Sequence, residues 1–157
     1  MKRSRGLLVV LGLLLNCPSL ALADQDRGCD GTRLKVHVTS LNGSGVTGRA
    51  TICIGEDGLR GELQAENLTI GHVYTVWMVY KEGANTAGPG RFDSTVAEED
   101  DEVFRGHVGG LQVSSGAAIM LFIFDHLSVS PNNVTRAITL LTPAGGTAAA
   151  QAVFNIP

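Results

Sequence analysis

Helical periodicity is what this sequence most conspicuously lacks. From residue 24 onward no segment sets apolar residues at the i, i+3, i+4, i+7 positions of an amphipathic helix. Parallel strands need long crossovers, usually helical, so this absence argues against a parallel sheet. Cysteine is scarce too: three in 157 residues exclude a disulfide-dense scaffold. No Walker loop, dinucleotide fingerprint or zinc-protease motif occurs. Asn42-Gly43-Ser44-Gly45 and Ser114-Ser115-Gly116 read as turns and lack the strand-to-helix setting of a nucleophile elbow. No catalytic residue is therefore singled out, and no cofactor is implied. An enzyme remains only as a site assembled from scattered loops.

What is present begins with an export signal. Lys2, Arg3 and Arg5 precede an apolar run from Gly6 to Leu15, and Ala21-Leu22-Ala23 supplies an A-x-A cleavage site before Asp24. A spanning helix needs roughly 20 apolar residues, and this run is too short before Asn16, Cys17 and Pro18 interrupt it. Residues 1–23 are read as a removable signal peptide and residues 24–157 as a single domain, secreted or periplasmic by the general secretory route, with no stable membrane insertion after cleavage. Asn16 before Cys17 departs from the small residue of a lipoprotein motif. Ser4 separates Arg3 from Arg5, so the twin-arginine pair is missing.

From Leu34 onward, short runs rich in Val, Ile, Thr and aromatics alternate with Gly, Asn, Asp, Ser and Pro clusters, the pattern of strands and turns. Nine strands are predicted: Leu34–Leu41, Thr47–Ile54, Leu59–Leu68, Tyr74–Tyr80, Arg91–Val96, Glu102–Leu111, Ala117–Asp125, Thr135–Leu141 and Ala148–Ile156. Turns are placed at Asn42-Gly43-Ser44-Gly45, Glu56-Asp57-Gly58, Gly88-Pro89-Gly90 and Pro143-Ala144-Gly145-Gly146. The fold class is all-β: an antiparallel β-sandwich, immunoglobulin-like or Greek-key, with a closed antiparallel barrel as the alternative. The runs around Trp77 and Phe122 are apolar at both parities, which predicts central strands with two buried layers, the outer covered by a loop, the tail or a second subunit of a homo-oligomer.

Past residue 23 the chain carries nine basic against fifteen acidic residues, about −6 overall. Such a balance argues against nucleic acid and anionic lipid as partners and leaves an unknown protein or small-molecule ligand. Cys29 and Cys53 are expected to pair, since two cysteines of one small exported domain usually do. The chain-entropy model gives such a bridge roughly 3 kcal/mol. Four histidines, His37, His72, His107 and His126, invite a copper or zinc reading; none forms a His-x-His pair, and His107 and His126 are the weak metal candidates. Glu98–Glu102 is five carboxylates in a row without the alternate spacing of a calcium loop, and is read as a solvated hairpin loop. Asn42, Asn67 and Asn133 open N-glycosylation sequons, of use only in a eukaryotic host.

The stretch Leu68 to Val79, with its Tyr74-Thr75-Val76-Trp77 core, followed by Ala87-Gly88-Pro89-Gly90-Arg91-Phe92, resembles the central part of the extracytoplasmic β-sandwich of anti-sigma-K factors. It covers about a quarter of the exported chain and implies a fold and an exported setting, not sigma-factor regulation. The leading expectation is a non-catalytic exported binding module of unknown ligand. A metal-binding protein comes second and a loop-built enzyme third. Intact mass after native secretion should place the first residue at Asp24; a diacylglycerol adduct on Cys17 would contradict the signal reading.

Overall fold

The computed structural model describes residues 29–128 and 145–157. They contain eight strands and no α-helix: β1 (Thr32–Ser40), β2 (Thr47–Gly55), β3 (Gly58–Glu66), β4 (His72–Glu82), β5 (Asn85–Val96), β6 (Asp101–Gly109), β7 (Ala118–Ser128) and β8 (Thr147–Asn155). The predicted strand Thr135–Leu141, the Asn133 sequon and the signal peptide lie outside the described residues.

The described residues are all-β and antiparallel, as their alternation predicts. Where two separate sheets are expected, the strands form one sheet of order β5-β4-β7-β8-β1-β2-β3-β6 that curls on itself. Its midpoint is thin. β1 pairs with β2 from Thr32 to Val38 but with β8 only at Thr39 and Ser40, opposite Gln151 and Ala150. The β1–β2 turn reinforces that seam: Asn42 Nδ2 donates to Ala148 O at 2.8 Å and Ser44 Oγ to Ala149 O at 2.6 Å.

Alternation decides which side chains fill the interior. Ala50, Ile52, Leu63 and Phe104 from one half of the sheet meet Tyr74, Val76, Met78, Ile119, Leu121, Ile123 and Phe154 from the other. Opposite residues of antiparallel strands share a face. Trp77 therefore stands with Phe122, and Met78 with Leu121. The inner layer is fully buried. The outer layer expected to be equally buried, Trp77, Val79, Met120, Phe122 and Phe124, is only half-buried.

The two edge strands, β5 and β6, come together without a ladder among the described residues. A bulge in β5 sets both Phe92 and Asp93 against Val76, between the pairs Val76–Asp93 and Trp77–Arg91. The Phe92 ring lies over Gly61 and Gly106; a Cβ at Gly106 would come within 2.5 Å of ring carbons. Beside it, Arg105 N–H donates to Asp93 Oδ2 at 2.6 Å.

Two turn expectations are corrected. The β4–β5 turn falls at Gly83-Ala84, between the pair Glu82–Asn85, and β5 runs through Gly88, Pro89 and Gly90. Gly83 has φ 56°, a conformation glycine adopts without strain, and Pro89 is tolerated because β5 is an edge strand. The acidic run is exposed at Glu98–Asp101, yet it is no hairpin: it carries the chain from β5 to β6 at the opposite edge of the sheet, and Asp101 and Glu102 already belong to β6. The Cys29 and Cys53 sulfurs are at bonding distance, with Cα atoms 5.6 Å apart, as their pairing predicts.

Gly106→Val should cost about 1–3 kcal/mol by overpacking against the Phe92 ring. Chemical denaturation of the variant checks this, and a change within about 0.5 kcal/mol, the range of ordinary surface substitutions, would contradict the contact.

Candidate functional site

Two groups of side chains stand out, on opposite halves of the sheet. The first gathers where β4 begins and β7 ends. His72 Nδ1 lies 3.0 Å from both carboxylate oxygens of Asp125. Tyr74 Oη donates to Asp125 Oδ2 at 3.4 Å and Leu127 N–H to Oδ1 at 2.7 Å. Leu127 adopts φ 62°, so the Asp125 turn holds a side chain in a conformation that favours glycine. Burial raises the Tyr74 phenol above its ordinary pKa, against the Thr69 N–H that donates to it at 2.9 Å and with help from the Asp125 charge. A His–Asp pair can orient an imidazole as a base. Among the described residues, no hydroxyl or thiol nucleophile is hydrogen-bonded to His72.

On the other face of the same strands, Trp77 Nε1–H donates to Thr75 Oγ1 at 2.9 Å, and that oxygen lies 2.8 Å from His126 Nε2. Thr75 is fully buried, and its hydroxyl has one proton to give. A neutral His126 whose Nε2 accepts that proton completes the relay. Burial lowers the His126 pKa below 6.5, opposed by the adjacent Gly145 backbone and by Asp125. Among the described residues its buried Nδ1 has no hydrogen-bond partner. Arg91 covers the Trp77 ring at 5.4 Å from its centroid.

Neither metal candidate sits among converging ligands. His107 is exposed on β6 directly opposite Arg60, and His126 is engaged by Thr75 on β7. Among the described residues no three His, Cys, Asp or Glu side chains are placed to hold a metal ion. Asp100 and Asp101 of the acidic run line a shallow cleft with Gln64, Glu66 and Asn67.

The second group is electrostatic and was missed from sequence. On β1, β2, β3 and β6 three of the outward rows gather cations, Arg33–Cys53–Arg60–His107, Lys35–Thr51–Glu62–Arg105 and His37–Arg49–Gln64–Val103, and the next row, Thr47–Glu66–Asp101, bounds them with two exposed carboxylates. Of the seven described Lys and Arg residues, Arg33, Lys35, Arg49, Arg60 and Arg105 stand here; Lys81 and Arg91 do not. Glu62 is the lone carboxylate in the three rows and pairs with Arg105 at 3.0 Å. Arg60 reaches Asp57 of the adjoining turn only at 3.8 Å. The net negative charge thus conceals a basic face. Its one sequence signal was the period-two run Arg33-x-Lys35-x-His37; the other cations come from strands whose register the sequence does not state.

No protein-family model, curated protein or solved structure matches the chain.

Thr75→Val keeps the shape of a buried side chain but strands Trp77 Nε1 and His126 Nε2, and should cost about 1–3 kcal/mol at pH 7.5 in denaturant melts. The His126 contribution has a defined sign. Its folded pKa is depressed, so the unfolded chain takes the proton more readily; stability is full above 6.5 and falls as pH drops below that toward the folded value. His126→Leu should flatten this part of the pH profile, and an unchanged profile would contradict the relay.

Proposed function

We propose that the protein is an exported, non-catalytic binding module that takes an anionic ligand on the outer face of β1, β2, β3 and β6. The observation that carries this reading is the gathering of five of seven described cations on one convex face of a domain whose overall balance is acidic. Within the three rows five cations face a single carboxylate, Glu62, so the face holds an excess of positive charge. An anionic ligand would neutralise that excess.

Export is supported by the leader pattern and by the cysteine pair at bonding distance, which suits an oxidising compartment. The same reading takes the two four-stranded halves as the layers of a sandwich, joined at the β1–β8 seam and at the β5–β6 edge. The likeness to the anti-sigma-K extracytoplasmic domain belongs with that sandwich reading, at the level of fold only.

A cation exchanger tests the reading without a guess at the ligand. At pH 7 and low salt the mature protein, about −6 in net charge, should be retained through its basic face. The double variant Lys35→Glu/Arg49→Glu should pass unretained. Wild-type protein that flows straight through would overturn the proposal.

A further inference from the structure

The dimensions and chemistry of the basic face point to one kind of partner, an inference that rests on the anion-binding reading above. Strand spacing of about 4.8 Å and a rise of about 3.3 Å per residue make the three rows a patch roughly 14 Å by 13 Å. The cations are spread over it at exposed positions and do not converge on an enclosed pocket. Lys35 and Arg49 have no ion-pair partner among the described residues. Such an array holds a small anion poorly, because each contact is exposed and weak. A polymer that repeats its charge engages several at once, and linking weak contacts multiplies their strength.

We propose that this face binds a linear acidic polysaccharide, a chain carrying carboxylate or sulfate groups on successive sugars. A thin chain touches the basic stripe and stays clear of the acidic remainder. An anionic bilayer would present its field to the whole net-negative domain over a Debye length of about 10 Å. It would also find only Val103, 38% exposed, as a large apolar side chain in the three rows. Single-stranded nucleic acid is disfavoured because no Trp, Tyr or Phe stands in the rows as a stacking platform for bases.

The test uses the mature, disulfide-bonded protein with four probes at low salt: polygalacturonate, heparin, duplex DNA and phosphatidylglycerol vesicles, with neutral dextran as control. Polygalacturonate or heparin should bind, and the affinity should fall as salt rises. Lys35→Glu/Arg49→Glu should weaken that binding at least tenfold. Lys81→Glu, an exposed cation off the face, should change it less than twofold. Circular dichroism and melting of each variant confirm that the fold is retained. Tighter binding of DNA or vesicles than of either polysaccharide would overturn the inference, as would polysaccharide binding indifferent to the double reversal. Retention on the cation exchanger without binding of either polysaccharide would sink the inference alone and leave the anion-binding reading standing.

Discussion

Phe92 and the two glycines beneath it are the contact on which the shape of this domain turns. A β-bulge sets two successive residues of β5 against one residue of β4. Phe92 can then project into the interior while Asp93 reaches the β6 backbone at Arg105 N–H. The ring needs room, and Gly61 and Gly106 provide it: a side chain at position 106 would occupy the space of the ring itself. An open sheet would leave two rows of unpaired backbone groups as templates for aggregation. Here one edge covers the other by side-chain contact, and a ladder is not required.

Closure has consequences on both surfaces. Once the sheet curls, each strand has a concave side, filled by the buried core, and a convex side facing solvent. On β1, β2, β3 and β6 the convex positions are mostly polar, with five cations among them, and the register stacks Arg33, Arg60 and His107 in one row and His37 with Arg49 in another. On β4 and β7 the apolar side chains Trp77, Val79, Met120, Phe122 and Phe124 are half-buried, and the fully buried Thr75 among them joins Trp77 to His126. The domain is polarised in this way although its composition shows only a mild acidic excess.

Much of the fold was legible in the sequence because strand alternation is a local signal. The eight described strands fall where alternating or doubly apolar runs predict them, and Cys29 meets Cys53. What failed was non-local. Gly88-Pro89-Gly90 carries turn chemistry, but Gly83 turns the chain first and an edge strand can absorb the proline. The Glu98–Glu102 run reads as a hairpin loop until the strand order shows β6 beside β3. The candidate site was less legible still. His72 and Asp125 are 53 positions apart, joined only by the pairing of β4 with β7. The basic face draws single residues from four strands, so its charge density exists only in the register.

The claim that fold register turns scattered cations into a binding face is most directly tested by amide chemical-shift mapping of isotope-labelled mature protein during titration with polygalacturonate oligomers. The account predicts that the shifted amides cluster on β1, β2, β3 and β6, centred on Lys35, Arg49 and Arg60. Shifts centred instead on His72, Asp125 and His126, or spread evenly over the domain, would contradict it.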